Sequence, residues 1–537
     1  MDLVTLSSNF FTFPAICHTP GIEQSDIAGG VAVNQSSDNY TMASFYGRAS
    51  YDYLSKYYLS ASIRYDGSSK FTEGNYWASF PAVSAKWRIS QESFWKNIEH
   101  TIPEAAIRLS YGTAGNNRIT SFLGATQIKT AIGSGDGTNV VSGNQGYTFL
   151  VGDGSQDTQA AGAYVSVLGN PYLKWETSKT LNAGLDLSFI DNRVSLTVEA
   201  YNKKTYNLLY KAPIPTSTGY DVLFQNIGSI QNKGLEVTLN TVNIERKSFE
   251  WKSSFNIAFN STKVLSLVNG LTQEGVAINW STSYANLPAY ILKVGQPLGT
   301  LYGLKWVGNY QYSDFTQNAA GQYMLNDNVP TNQTSRSTSS TAAPQPGDIK
   351  FEDINGDGVI TSDDYVPIGR GFPIHTGGFS NDFSYKNFDL NVFFQWSYGN
   401  QILNANRMIF EQNTSGRNQF ASVLNRWTPD NQNNVMFRAG TGSPNGGTYY
   451  SSRVVEDGSY LRLKTVQLGY SLPNALMKKW QIKQIRFYLS CQNLVTWTRY
   501  TGFDPEVSTY YSTLTPGFDW GAYPRARTLT VGANISF

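Results

Sequence analysis

The last eleven residues of the chain, RTLTVGANISF at 527–537, alternate between apolar and polar side chains. The apolar positions share one phase: Leu529, Val531, Ala533, Ile535 and Phe537. Successive side chains of a β-strand point to opposite faces of the sheet. The pattern therefore predicts a strand with one apolar and one polar face.

The same alternation recurs in pairs of segments that are joined by short polar turns, which predicts antiparallel hairpins. Three hairpins are clearest, at 45–67, 181–200 and 377–400. Further strands are expected at roughly 79–90, 105–114, 233–242, 249–260, 300–312, 460–472 and 484–497. The total is about fifteen strands, and the pattern predicts an all-β fold.

The predicted strands are about 9–13 residues long, which exceeds the ~5–6 usual in soluble sheets and suits a tilted strand that crosses a bilayer. Short turns are expected at 54–56, 190–193, 243–247, 386–387 and 473–483. Long connections rich in Ser, Thr, Asn and Gly are expected at 67–76, 115–175, 207–230, 313–373 and 400–458. This asymmetry predicts an antiparallel transmembrane β-barrel with short periplasmic turns and long extracellular loops. A large soluble all-β protein, a propeller or stacked sandwiches, is the alternative.

Charged side chains of the predicted strands occupy the polar phase, where they would be costly in lipid but suit a wet lumen. They are Arg48, Asp52, Arg64, Lys86, Arg88, Asp186, Glu199 and Glu236. The apolar phase, which includes Leu185, Leu187, Leu196, Val198 and Phe394, is expected to face lipid.

Composition narrows the possible functions. The net charge is only +2, so bulk electrostatics gives no reason to expect a nucleic-acid partner. Two cysteines, Cys17 and Cys491, and three scattered histidines leave little material for a metal or catalytic cluster of those residues. The N-terminus lacks the basic region of a signal peptide, so we expect any export signal to lie outside this chain.

Eight stretches, in order along the chain, resemble one family of membrane proteins. They are YYLSASIRYDGSSKF, RLSYGTAGNN, NPYLKWETSKTLNAGLDLSFIDNRVSLTVEAYNKKTYNLL, QNIGSIQNKGLEVTLN, GDIKFEDINGDGVITSDDYVPIG, DGSYLRLKTVQLGYSLP, GFDPEVS and YPRARTLTVGANISF. Together they span roughly 40–537, and in them the chain resembles the C-terminal barrel portion of SusC/RagA-like TonB-dependent outer-membrane transporters of Bacteroidetes.

The resemblance implies a 22-stranded outer-membrane barrel closed by a plug, driven by the TonB complex and capped by a SusD-like surface lipoprotein. It implies import of oligosaccharides or peptides. We expect 1–39 to be an incomplete N-terminal segment of the barrel or of a loop, and 40–537 to be the C-terminal portion of the barrel. The plug, the TonB box and the remaining strands are expected from outside this chain, because either the gene is truncated or another chain supplies them.

The segment FEDINGDGVITSDD, 351–364, has the ligand spacing of a calcium loop. The predicted ligands at positions 1, 3, 5, 7, 9 and 12 are Asp353, Asn355, Asp357, the carbonyl of Val359, Thr361 and Asp364. The flanking residues read as extended and are broken by Pro and Gly, so a helix-flanked calcium sensor is not expected. A calcium-stapled extracellular loop is one hypothesis. An Asx-turn loop that holds itself without an ion is the other.

Two rival functions remain at this point. A surface β-protein that binds glycans without transporting them would purify without detergent. A glycosidase would need two carboxylates from separate strands in one cleft, and no such pair is evident, so an enzyme is not expected. Loop aromatics such as Trp280, Tyr284, Tyr290, Tyr449 and Tyr450 could stack on sugar rings or pack within the loops.

Overall fold

The fold is built on a large antiparallel sheet in which each strand pairs with the next one along the chain. This computed structural model describes residues 2–7, 32–37, 40–131, 148–151, 158–214, 216–220, 222–267, 271–278, 280–281, 287–331, 343–412, 418–440, 449–510 and 512–537. The strands of the large sheet are β1 Met42–Tyr53, β2 Tyr57–Ser68, β3 Trp77–Arg88, β4 Glu104–Asn116, β5 Glu176–Phe189, β6 Val194–Tyr206, β7 Ser229–Arg246, β8 Phe249–Ser266, β9 His375–Tyr385, β10 Phe388–Tyr398, β11 Tyr460–Ser471, β12 Gln484–Thr498 and β13 Thr528–Ser536. The predicted partial barrel sheet is confirmed, with thirteen strands in place of about fifteen.

Connections between these strands alternate strictly between a short-turn end and a long-loop end of the sheet. The short-turn end holds 54–56, 89–103, 190–193, 247–248, 386–387 and 472–483, the last containing helix α2, Asn474–Trp480. The long-loop end holds 69–76, 117–175, 207–228, 267–374, 399–459 and 499–527. This asymmetry places the short-turn end in the periplasm and the long loops outside the cell.

One predicted strand, 300–312, is wrong. It is split into Thr300–Gly303 and Trp306–Asn309, which belong to small sheets within the loop between β8 and β9. The segment carries Leu301, Leu304 and Tyr310 fully buried, so it is enclosed in a loop core and does not present one face to lipid. The predicted turn at 243–247 is also displaced, because β7 and β8 continue to a two-residue turn at 247–248.

The long loops fold into a layer with its own secondary structure. Its small strands are Gln127–Ala131, Thr148–Val151, Thr158–Val167, Leu209–Pro213, Val222–Asn226, Gln273–Ala277, Pro288–Lys293, Thr300–Gly303, Trp306–Asn309, Phe315–Gln317, Tyr323–Leu325, Ile349–Phe351, Val366–Arg370, Gln401–Asn404, Val455–Asp457 and Phe518–Asp519. Helix α1, Ala405–Phe410, lies in the same layer.

The main apolar core lies in this layer, and we call it the loop core. It joins three long connections in two clusters: Ile278, Trp280, Ala289, Tyr290, Leu301, Leu403, Ala405, Met408, Tyr450, Val454 and Phe518 in one, and Leu304, Ile349, Phe351, Ile360, Tyr365, Met436 and Phe437 in the other. The loops are therefore a packed cap on one end of the sheet.

The large sheet is open. Among the described residues, β1 and β13 each pair on one side only, and the side chains of β1 are exposed along its whole length. Of the predicted N-terminal segment 1–39, the structure describes Asp2–Ser7 and Ala32–Ser37, which pair with each other. The rest of that segment lies outside the described residues, so the division after residue 39 stays a prediction. No helix in the described part of the chain is both long enough and apolar enough to cross a membrane.

Candidate functional site

The two faces of the large sheet differ in chemistry, and the strand register fixes which residues share each face. Leu185 pairs with Val198, and Leu187 pairs with Leu196, so the predicted lipid-facing residues of β5 and β6 lie on one face. Apolar side chains on this outward face are open to solvent in the bare protein, as with Leu109 at 53% exposure. A continuous apolar surface of this kind is typical of contact with lipid.

The opposite face carries ion pairs across neighbouring strands. On β4, the Arg108 guanidinium donates through Nε to Asp186 Oδ2 at 2.8 Å on β5 and through Nη2 to Glu199 Oε1 at 2.6 Å on β6. On β12, Arg486 Nε donates to Asp389 Oδ1 at 3.0 Å on β10. The register puts the eight charged residues predicted for the lumen on this same face. The sheet therefore has the polar wall of an aqueous lumen.

A buried arginine anchors the last long loop at the lumen mouth. The Arg462 side chain on β11 is 1% exposed. It donates to Asp504 Oδ1 at 2.5 Å and to Glu506 Oε2 at 2.9 Å, both in the 499–527 loop, and to Thr496 Oγ1 at 2.9 Å on β12. Burial opposes ionisation of Asp504, but backbone N–H groups of Glu506 and Arg525 and the Arg462 guanidinium together lower its pKa.

Beside this anchor lies a polar cavity of about 290 Å³, lined by Arg462, Asn493, Thr496, Thr498, Phe503, Asp504, Pro505, Pro524, Arg525 and Arg527. Phe503 and Tyr523 project almost freely, at 84% and 92% exposure. Aromatic rings next to a cationic and an anionic side chain can hold either a sugar or a peptide. Sequence reasoning missed this constellation, although GFDPE and YPRAR each place an aromatic ring within a few residues of a charge.

A second, mostly apolar cavity of about 240 Å³ lies beneath the loops over β7 and β8. Leu292, Leu298 and Leu514 form much of its lining. At its polar end, Tyr210 Oη donates a hydrogen bond to Glu274 Oε1 at 3.0 Å. Burial raises the pKa of Tyr210, and the negative charge of Glu274 raises it further.

The predicted loop aromatics serve packing wherever the structure describes their burial. Trp280 Nε1 donates to Tyr450 Oη at 2.8 Å, and Tyr290 Oη donates to the Pro516 carbonyl at 2.8 Å, all three rings being buried in the loop core. Tyr449 is half-buried and meets Phe351 edge to face. Tyr284 lies outside the described residues. The loop-packing alternative therefore holds for Trp280, Tyr290 and Tyr450.

The predicted calcium loop lies between two extended segments, Ile349–Phe351 and Val366–Arg370, so the prediction of extended flanks is confirmed. Its side chains bind its own backbone. Asp353 accepts from the N–H groups of Gly356 at 2.7 Å and Gly358 at 2.8 Å. Asp364, fully buried, accepts from Ile354 at 2.9 Å and Thr361 at 2.8 Å.

The remaining ligand candidates follow the same geometry. Asn355 Oδ1 accepts from Asp357 N, Asp357 Oδ1 accepts from Val359 N at 2.8 Å, and Thr361 Oγ1 accepts from Asp363 N. In the described part of the chain, no three His, Cys, Asp or Glu side chains converge as a metal site. These Asx turns fit the ion-free alternative. The carboxylate oxygens of Asp353 and Asp357 also fit Ca²⁺ chemically, because each accepts one N–H and keeps a second lone pair.

Comparisons with known proteins agree with this geometry. Residues 5–494 match the family described as TonB dependent receptor-like, beta-barrel. The chain is 34% identical over 528 residues to TonB-dependent receptor P3 of Formosa agariphila, covering 97% of this chain and 48% of that protein. It is 27% identical over 505 residues to TonB-dependent receptor SusC of Bacteroides thetaiotaomicron, covering 93% of this chain and 44% of that protein.

Among solved structures, that of the RagAB peptide transporter superposes with a TM-score of 0.73 at 24% identity, covering 96% of this chain and 50% of the matched chain. This likeness is one of fold. The chain spans about half the length of the curated relatives it matches.

Proposed function

This chain belongs to the TonB-dependent receptor β-barrel family, resembles its SusC/RagA branch and is an outer-membrane protein, and from that premise we propose that it takes part in nutrient import. It would contribute the C-terminal part of a barrel wall through which oligosaccharides or peptides pass. The family relatives are named as receptors, and an enzymatic role is not proposed.

The observation that supports import most directly is the two-faced sheet. Its outward face is apolar, and its inner face carries the ion pairs of Arg108 and Arg486. Such a wall separates lipid from an aqueous conduit. A protein that only binds glycans at the surface needs no inner face of this kind.

The mouth of the lumen supplies the candidate contacts for cargo. Phe503 lines the polar cavity, and Tyr523 lines an adjoining cavity of about 430 Å³; Asp504 and Arg525 line both. Rings can stack on sugars or on side chains, and the charged pair can bind hydroxyl, carboxylate or ammonium groups. Both cargo classes, oligosaccharide and peptide, are compatible with this chemistry.

Two partners belong to the proposal. A SusD-like surface lipoprotein would sit on the loop layer, which forms the extracellular side of the sheet. The TonB complex would supply energy through a plug region. The loop layer suits a docking role because its own apolar core makes it a fixed surface.

A bound Ca²⁺ at 353–364 is also proposed. Three carboxylates on one short loop repel each other, and a cation would offset that repulsion. Asp353, Asn355, Asp357, the Val359 carbonyl, Thr361 and Asp364 would hold it. Its role would be structural, since Ile360 of the same loop packs into the loop core.

Uptake and binding must be measured separately to test the proposal. Cells that express the gene, and cells in which it is disrupted, are given fluorescent oligosaccharides or peptides, with and without a protonophore that removes the energy source of TonB. Import predicts energy-dependent accumulation that is lost on disruption and weakened by Phe503→Ala with Tyr523→Ala.

The matched control is Tyr172→Ala, another exposed aromatic of the long-loop end that lies outside the polar cavity. If cargo binds at the surface but never accumulates, and if the protein purifies without detergent, the surface glycan-binding alternative replaces import.

A further inference from the structure

Four lysines break the rule that charges occupy the lumen face of the sheet. Lys179 on β5, Lys204 on β6, Lys233 on β7 and Lys263 on β8 all follow the outward, apolar phase. Apart from Arg246 at the short-turn end, they are the only charged side chains on the outward face of the thirteen described strands.

The register brings these four lysines together. Lys179 lies directly opposite Lys204, and Lys204 lies opposite Gln231, which in turn lies opposite Lys263. Lys233 is two residues from Gln231 along β7 and therefore on the same face. Residues directly opposite in antiparallel strands have Cβ atoms about 4.5–5.5 Å apart, as Lys179 and Lys204 do, and diagonal neighbours are about 7–8 Å apart. Lys233 is diagonal both to Lys204 and to Lys263, so the four lysines form one basic band across four strands.

The position of the band between the two ends of the strands is as informative as its charge. Two residues closer to the periplasm, the same faces carry Leu181 on β5 and Leu235 on β7, where the exposed apolar surface begins. Towards the long-loop end the strands finish within a few residues. The lysines therefore lie at the extracellular boundary of the lipid-facing band, where membrane headgroups are found.

In the described part of the chain, no carboxylate forms an ion pair with any of the four lysines. The polar outward positions next to them are uncharged: Thr113, Thr177, Asn202, Tyr206, Gln231 and Ser261. Lys179 Nζ lies over the Tyr206 ring at 5.6 Å, which adds attraction but no negative charge. Like charges directly opposite each other destabilise a sheet unless an anion lies between them.

From this arrangement we propose that the band binds the phosphate groups of an anionic lipid in the outer leaflet. The ammonium groups complement phosphate, and the apolar surface just below them complements the acyl chains of the same molecule. A free anion would use only the first of these contacts. The band would thereby fix the depth of β5–β8 in the membrane.

The test uses protein purified from outer membranes into neutral detergent. Mixed micelles contain either a fluorescent bisphosphorylated glycolipid of the lipid A class or its dephosphorylated form, and a third titration uses inorganic phosphate. We expect saturable binding of the phosphorylated lipid that weakens with added NaCl, because salt screens exposed charges.

Replacing all four lysines by glutamine should weaken binding by roughly 600-fold, since each lysine near an anionic surface contributes roughly a fivefold factor and four such factors multiply. Replacing all four by arginine should retain binding. A control with the same change of net charge lies elsewhere, with glutamine at Lys86, Lys203, Lys293 and Lys483. The control should bind within about twofold of wild type, as expected if only the local charge matters.

Three results would overturn the proposal: equal binding of the dephosphorylated lipid, undiminished binding by the glutamine variant, or inorganic phosphate binding as tightly as the lipid. The comparison of phosphorylated and dephosphorylated lipid on the wild type decides the matter even if the glutamine variant does not assemble.

Discussion

Leu185 is the residue at which the lipid-facing assignment can be tested most sharply. It lies near the middle of the apolar band of β5, paired with Ile107 and Val198, whereas Leu187 is closer to the turn at 190–193. Leu185→Arg should lower the free energy of unfolding from lipid vesicles by ~2–4 kcal/mol, and Leu187→Arg by less, because the cost of a charge falls with distance from the midplane.

The control for this series is Asn182→Arg, which places the same side chain on the lumen face of the same strand. Ser188 is less suitable, because its hydroxyl bonds to Asn192 at the turn. Similar losses of stability for Leu185→Arg and Asn182→Arg would contradict the two-faced wall.

Asp504 should make the 499–527 loop sensitive to acid. Its pKa is lowered in the folded protein, so the ionised form stabilises the loop at pH values above the ordinary carboxyl pKa of 3.8. That stabilisation is lost as pH falls through the lowered pKa. Proteolysis within the loop, followed with an acid-stable protease, should therefore increase below about pH 4 in the wild type.

Two variants separate this effect from general acid unfolding. Asp504→Asn should be cleaved faster at neutral pH and show a weaker pH dependence. Arg462→Gln leaves two carboxylates without their buried partner and should cost about 3–5 kcal/mol. If the loop of Asp504→Asn responds to pH as the wild type does, Asp504 is not the titrating group.

The calcium hypothesis belongs to the loop at 351–364 as an element. Calcium in the ~10⁻⁴–10⁻³ M range typical of extracellular modules should slow proteolysis within 345–370, and calorimetry should detect binding. Asp353→Ala with Asp357→Ala should abolish both effects. Asp363→Asn, an exposed carboxylate outside the ligand set, is the control and should leave both unchanged.

Because Asp353 also holds two backbone N–H groups, the double variant is expected to be looser even without calcium. The informative quantity is the difference that calcium makes in each protein. No difference in the wild type at millimolar calcium would leave the Asx turns as the whole explanation of the loop.

The two faces of each strand could be predicted from the sequence, because alternate residues of a strand always lie on opposite faces of the sheet. In β5 and β6, the phase that carries Leu185 and Val198 is the phase that the register assigns to lipid. The segment 300–312 shows where this reasoning stops. Leu301 and Leu304 are buried by residues far along the chain, and local alternation does not record which sheet a strand joins.

The lumen mouth could not be predicted for the same reason. Arg462 meets Asp504 across 42 positions, and only the fold shows that they are neighbours. The lysine band could not be predicted from the sequence for a different reason. Each lysine alone is an ordinary polar interruption of an apolar phase, and its meaning depends on the register of four strands.

At the level of the whole molecule, the two sheet edges determine how the chain behaves by itself. In lipid each unpaired backbone group costs several kcal/mol, so β1 and β13 need partners. Expressed alone in detergent, the 537-residue chain should not give a compact, heat-resistant monomer on semi-native electrophoresis. Coexpression with a polypeptide that supplies matching strands should restore one. A protease-resistant closed monomer from this chain alone would contradict the prediction.

The large sheet and the loop core are folded in different surroundings. The outward face of the sheet lies against hydrocarbon, whereas the loop core is buried away from water. Outward side chains such as Leu185 stay covered by detergent tails as long as the wall remains folded, so opening of the loops adds none of their surface to the water exposure that gives unfolding its heat capacity. The buried residues around Tyr290 and Phe437, by contrast, pass into water when the loops open. Calorimetry in detergent of the barrel assembled by coexpression should thus register mainly the melting of the extracellular cap, while the wall beneath it persists to higher temperature.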